Sequence, residues 1–263
     1  MLLAIDVGNT NIAVGVFDDE TLVADFRVHT DARSTGDELG LALRDLLGRR
    51  SLGVGVIEGV VIANVVPALS RAIAEASVQV FHHTPVVVGP GIRTGLRIRY
   101  DDPRQVGGDR IANAIAAHRR YGGPAIIVDF GTSTNFDVVS AAGDYLGGAI
   151  APGMEVSLDA LVAKAARLSR VDLAVPPVAI ARSTEASMQV GLVLGHIAMI
   201  EGLIGRMKAE LGGVAKVIAT GGLAGTIAAA TPAIDVVDPG LTLDGLRLIF
   251  ALNAEEQSLN TSL

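Results

Sequence analysis

The chain has 263 residues, half of them apolar and only 19% charged, which excludes a disordered segment and leaves room for one large or two ordinary domains. Aromatic residues make up just 3%, Trp is absent and the net charge is −7, so nucleic acid is not an expected partner, by stacking or by charge. The absence of cysteine removes disulfides, thiolate chemistry and Cys-ligated zinc, and fits a reducing cytoplasm.

The first residues, MLLAIDVGNT, have no basic lead and no cleavage site, so a cytoplasmic protein without a signal peptide is expected. Leu2–Val7 and Ile12–Phe17 are apolar runs joined by turn formers, which predicts a hairpin, and Leu22–His29 predicts a third strand. Helical spacing follows over Asp37–Leu47, then a buried strand over Gly59–Val65, a helix over Ala68–Val78 and a strand over Pro85–Val88. A helix is expected over Asp109–Tyr121, directly after Gly107 and Gly108. After Gly122-Gly123-Pro124 the pattern restarts with strands over Ala125–Phe130, Phe136–Ser140 and Tyr145–Ala151. Helices over Glu155–Leu168 and Glu185–Leu211, a strand over Lys216–Thr220 and a closing helix over Leu241–Leu252 complete the reading. The most apolar long stretch, Val190–Ile204, contains His196 and Glu201 and falls short of a membrane span.

The two halves therefore share an organisation, a strand, an Asp-x-Gly turn rich in Asn and Thr, two more strands, then helices and strands. This predicts an α/β protein of two similar actin-like (ribonuclease H-like) domains, residues 1–121 and 122–263, with a nucleotide cleft between them. An ordinary doubly wound protein with two unrelated acidic turns is the alternative.

Asp6 ends a buried strand, at the rim where α/β sheets bind ligands. Gly8 lets backbone approach a phosphate, Asn9, Thr10 and Asn11 are short polar groups, and the Asp6 carboxylate suits Mg²⁺, directly or through water. A polar hairpin turn is the plainer reading of one such motif, and the second copy at Asp129, Gly131, Thr132, Ser133 and Thr134 favours a phosphate clamp. Gly221-Gly222 after a strand suits a flat adenosine, although strand–glycine–helix turns are common. Asp109, in the first turn of its helix, reads from charge pattern first as a partner for the helix dipole. Its other reading is a base for a substrate hydroxyl, with Arg110 neutralising a carboxylate or phosphate.

Gly89-Pro-Gly-Ile-Arg-Thr-Gly95, Arg99-Tyr-Asp-Asp-Pro-Arg104 and Val106-Gly-Gly-Asp-Arg-Ile111 together resemble the central signature of type III pantothenate kinases. Asp6–Asn11, Val128–Asp137, Gly147–Gly153, Ser183–Gln189 and Leu241–Leu246 resemble the other blocks of that family, in order. The resemblance implies ATP-dependent phosphorylation of pantothenate, the first step toward coenzyme A. It implies that Asp6, Val7, Gly8, Asn9, Thr10, Asn11, Ile12 and Ala13 surround the ATP phosphates and Mg²⁺, and that Thr132 touches ATP. Asp109 would be the general base, with Tyr100, Gly107, Gly108, Arg110 and Thr184 on pantothenate. Asp129 would bind a monovalent cation, K⁺ or NH₄⁺. A homodimer is implied as well, for which the apolar residues Ile197, Ile200, Ile204, Met207 and Leu211 offer a face that reads equally as core. The alternative within the family is a weakly active or non-catalytic regulatory member, resembling an accessory factor for transcription.

The chain departs from the family pattern at Ser133 and Asn135, where a run like Gly-Thr-Ala-Thr-Thr is usual, at Gly108 for Ala and at Asp102 for Asn. Asn135 replaces a hydroxyl by an amide beside the expected phosphates, and Asp102 adds negative charge near Asp109. The histidines show no metal-ligand spacing, and His82-His83 read as a solvated pair.

Overall fold

The computed structural model describes residues 1–260, with side chains through residue 254. It consists of two compact units, residues 1–116 joined by 240 onward, and residues 117–239.

The first unit begins with β1 (Leu2–Val7), β2 (Asn11–Asp18) and β3 (Thr21–His29), an antiparallel meander. Helix α1 (Gly36–Gly48) starts at a capping box in which the Thr35 hydroxyl accepts from the Glu38 N–H while the Glu38 carboxylate accepts from the Thr35 N–H. Next come β4 (Gly59–Asn64), α2 (Ser70–Phe81), the short β5 (Val86–Val87) and α3 (Gly108–Tyr121), the helix along which the chain passes into the second unit. The sheet order is β3-β2-β1-β4-β5, with β1 parallel to β4. One core cluster joins Leu3, Ile5 and Val7 of β1 to Leu39, Leu43 and Leu47 of α1 and Ile73 of α2. The continuous apolar runs of β1 and β4 are explained by this central position, where both faces are covered.

The second unit repeats the plan with β6 (Ala125–Phe130), β7 (Ser133–Val139) and β8 (Tyr145–Pro152), then α4 (Met154–Lys164). A long helical run follows, made of α5 (Thr184–Gln189), a π-helical turn (Val190–Leu194) and α6 (Gly195–Glu210). The strand β9 (Lys216–Gly221), the short α7 (Ala224–Ala228) and β10 (Val236–Val237) close it. Its sheet order, β8-β7-β6-β9-β10, is that of the first sheet element for element. The expected internal duplication is thus present at the level of strand order, parallel and antiparallel pairing included.

The last helix, α8 (Leu241–Asn260), belongs to the first unit. Leu243 stands beside Gly15 of β2 and Phe250 against Gly59 of β4. The expected division after residue 121 had placed this helix in the second half; its buried Leu241, Leu246 and Ile249 pack with the first instead. α8 also runs past the expected end at Leu252.

Other boundaries differ for local reasons. β7 begins at Ser133 rather than Phe136, because Thr134 and Asn135 pair with Phe130 and Asp129 despite their polarity. α4 ends at Lys164, four residues before the expected Leu168. The helix expected over Glu185–Leu211 carries the π-helical turn where consecutive buried residues, Met188 and Val193, stand five positions apart rather than three or four. Thr184–Glu210 is 27 residues long and, by length and composition alone, sufficient to cross a membrane, contrary to the shorter stretch expected from hydropathy. Its residues Val193, Ile197, Ile200 and Ile204 are buried in the core of the second unit, so the apolar face considered for a dimer is core.

Candidate active site

In the first unit, Asp6 lies one residue before the end of β1, between Ala13 of β2 and Ala63 of β4. Alternation puts Ile5 and Val7 in the core and turns Asp6 to the other face, half-buried. The turn that follows is held by the Gly8 N–H donating to the Asn11 carbonyl at 3.0 Å, and by Thr30. The Thr30 hydroxyl donates to the Gly8 carbonyl at 2.7 Å and its N–H donates to the Thr10 carbonyl at 3.0 Å. Asn9, Thr10 and Asn11 are exposed, whereas Val7 and Ile12 bury their side chains and have only backbone to offer a ligand. Thr30 escaped sequence reasoning because its signal, a lone Thr after a strand, is indistinguishable from an ordinary turn residue.

The N-terminus of α3 stands at the same strand ends. Gly108 packs against Ala63 and Val88: a β-carbon there would lie 3.2 Å from Val88 and 3.3 Å from Ala63, which makes the usual Ala a tight fit in this chain. A β-carbon on Gly107 would collide with the Asp109 carboxylate, so Gly107 leaves the space that this carboxylate occupies. Burial pushes the Asp109 carboxyl above the usual carboxylate range, against the opposing pull of the Arg110 backbone N–H and guanidinium. Its Oδ1 is buried and accepts no hydrogen bond among the described residues. A buried carboxylate with one unengaged oxygen and a raised pKa is poised to take a proton. Arg110, 6% exposed, is buried beside it in sequence. Asp102 does not add uncompensated charge near this group: its carboxylate accepts from the Arg104 guanidinium at 2.9 and 3.0 Å and from the Arg104 N–H at 3.1 Å, which also caps a short 3₁₀ turn. Tyr100 is half-buried in the irregular segment leading to that turn.

In the second unit Asp129 occupies the place of Asp6, between Asn135 of β7 and Thr220 of β9. Its turn is reduced to Gly131 and Thr132, held by the Gly131 N–H donating to the Ser133 carbonyl and the Gly153 N–H donating to the Thr132 carbonyl, both at 3.0 Å. The two departures from the family run are bonded to each other: the Ser133 hydroxyl donates to the Asn135 Oδ1 at 2.9 Å. Gly221 has φ +89°, and a β-carbon there would lie 2.7 Å from Asp129 Oδ1 and 2.6 Å from the Phe130 carbonyl. The missing β-carbon of Gly221 thus leaves room for the Asp129 carboxylate, while the Gly222 N–H donates to the Phe130 carbonyl at 3.1 Å. Thr184 stands on another element, exposed at the first position of α5 after the Ser183 cap.

The structure therefore brings Asp6–Ala13 and Gly107–Arg110 to one end of the first sheet, and Asp129, Thr132, Gly221 and Gly222 to the equivalent end of the second. The family profile of type III pantothenate kinase matches residues 2–206. A type III pantothenate kinase from Moorella thermoacetica is 52% identical over 96% of this chain and all of its own length. The chain belongs to the type III pantothenate kinase family. Among solved structures, a Campylobacter jejuni protein described as a Baf family transcriptional activator superposes with a TM-score of 0.64 at 19% identity, covering 96% of this chain and 99% of its own. A ROK hexokinase from Thermus thermophilus superposes with a TM-score of 0.50 at 17% identity, covering 97% and 99%. At such identities these two likenesses speak for the fold alone, the two-domain actin-like fold.

Proposed function

We infer that the chain phosphorylates pantothenate at its terminal hydroxyl with ATP, giving 4′-phosphopantothenate and ADP in the first step of coenzyme A synthesis. Identity of 52% across nearly the whole chain carries this reading, and Asp109 supplies its chemistry. The Asp109 carboxylate accepts the hydroxyl proton as that oxygen forms its bond to the γ-phosphorus and the bond from that phosphorus to the bridging oxygen of ADP breaks. Gly107, Gly108, Arg110, Tyr100 and Thr184 are the groups proposed to hold pantothenate, with Arg110 opposite its carboxylate.

Residues Asp6 to Ala13 and Thr132 are proposed to hold ATP, with Gly221 and Gly222 bare backbone on the nucleotide side. Magnesium bound with ATP would neutralise charge on the phosphate oxygens. The half-buried Asp6 carboxylate is a hard oxygen donor that fits this ion through water, since Mg²⁺ keeps much of its hydration shell. Asp129, with Gly221 leaving space at its carboxylate, is proposed to hold K⁺ or NH₄⁺.

The protein is proposed to be a cytoplasmic homodimer that engages neither membrane nor nucleic acid, the latter in keeping with its net charge of −7. The outward side of the 184–210 helical run presents Gly191, Gly195, Ala198, Gly202 and Gly205, a face flat enough for a second copy, and Ile180 nearby is 85% exposed.

The deciding experiment is ADP release from ATP with and without pantothenate, in K⁺ and in Na⁺ buffer. Pantothenate-dependent turnover stimulated by K⁺ is expected. A rise in melting temperature with K⁺, lost in Asp129→Ala, would report the cation independently of turnover. No turnover from folded protein in any buffer overturns the kinase reading.

A further inference from the structure

Helix α6 carries a buried titratable group that the phosphoryl-transfer reading leaves without a role. His196 is 8% exposed, and its Nε2 lies 2.9 Å from the hydroxyl of Thr134, itself 1% exposed. Burial lowers the His196 pKa, so the ring is neutral at physiological pH. A hydroxyl both donates and accepts, so the bond is satisfied in either tautomer. Thr134 is the residue of β7 that pairs with Phe130 of β6, and these two close the hairpin around Gly131, Thr132 and Ser133. His196 itself follows the π-helical turn at Val190–Leu194. The extra residue of that turn shifts the phase of the helix, so that Val193, His196, Ile197 and Ile200 share the buried side.

We propose that His196 is a positioning residue for the phosphate-facing turn, fixing Thr134 and thereby holding the two-residue Gly131–Thr132 turn in its ATP-binding conformation. This rests on the reading that the turn holds ATP. The turn is already held at its backbone by the Gly131 N–H on the Ser133 carbonyl and the Gly153 N–H on the Thr132 carbonyl. A strand start fastened from behind adds a side-chain constraint that spares nucleotide binding part of the entropy of ordering it. The π-helical turn is then the feature that aims a polar ring, rather than another aliphatic side chain, at the hairpin.

The test is a set of variants read by nucleotide binding to a fluorescent ADP analogue and by steady-state kinetics. His196→Leu and Thr134→Val are each expected to weaken nucleotide binding and raise KM for ATP by roughly 5- to 10-fold, the effect of one net hydrogen bond, while KM for pantothenate stays unchanged. The double variant should be no worse than either single one, since both remove one interaction. His196→Gln, whose terminal amide can replace Nε2, should restore most of the affinity. Variants that lose melting temperature but bind nucleotide normally, or single effects that add fully in the double variant, overturn the proposal. If His196→Leu does not fold, Thr134→Val and His196→Gln decide alone, and wild-type affinity in Thr134→Val overturns it. Wild-type protein that binds no nucleotide overturns the ATP-turn reading together with this inference, whereas normal wild-type binding with insensitive variants overturns only the latter.

Discussion

Asp109 is held in a state that suits proton abstraction and costs stability. Because its pKa is raised by burial, the folded protein binds a proton more tightly than the unfolded chain between the ordinary carboxylate pKa and the raised one. Stability therefore falls as pH rises through that window, and the loss persists above it. Asp109→Asn removes the charge, so it should melt higher than wild type at neutral pH, with the difference vanishing in acid where both states are protonated. The same variant should lower kcat by roughly 10²–10⁴-fold with nucleotide affinity intact. Normal turnover in Asp109→Asn would remove the base assignment. In the wild type, kcat/KM should rise with pH through an apparent pKa above that of an ordinary carboxylate. Gly107→Ala is the complementary probe, because the new methyl would displace the Asp109 carboxylate, a movable side-chain end, rather than backbone. A fall in kcat of about tenfold or more with little change in melting temperature is expected, since small misplacements of a reacting group are costly in rate.

Among the elements, α3 and α8 approach each other backbone to backbone. Gly245 lies on the Ala112 backbone, where a β-carbon would collide, and the Thr242 hydroxyl donates to the Asn113 Oδ1 at 2.7 Å. Gly245→Ala should therefore destabilise the first unit by about 3 kcal/mol, the upper end of overpacking costs, readable by denaturant titration. This approach was invisible in the sequence, although α8 itself was not: apolar periodicity says that a helix is buried, not which sheet buries it. The central strands were legible because a short, unbroken apolar run between turn formers is what a strand covered on both faces requires. The start of β7 was not, since Ser133, Thr134 and Asn135 resemble turn residues and are strand only because Phe130 and Asp129 pair with them. Asp6 and Asp129 could be read from their places at the ends of buried strands, whereas Asp109, in the first turn of its helix, reads from charge pattern as a dipole partner and takes its other role only from the family resemblance. The partners that hold the turns, Thr30 and His196, come from distant segments with no local signature.

For the whole molecule, the repeated strand order makes each unit a variation on one plan, with its acidic residue next to the end of the central strand. The variation is informative. The first turn spans Gly8 to Thr10 and leaves polar side chains exposed, whereas the second is shortened to Gly131 and Thr132 and braced from the helix behind it. The contribution of α8 to the first unit leads to a further expectation: a chain stopped after Pro239 should lose amide-exchange protection in β1 and β4 while β6 and β9 retain theirs. Retained protection in β1 would show that the first sheet stands without its last helix.

That arrangement also orders events during translation. The segment from Ala117 to Pro239 is continuous and needs nothing made after it to complete its own core. The earlier residues, although made first, wait with β1 and β4 uncovered on one side until Leu241, Leu246 and Ile249 emerge from the exit tunnel. The N-terminal portion is thus the later to mature, a reversal of the usual vectorial sequence, and the nascent chain should meet chaperones through the face that α8 finally covers.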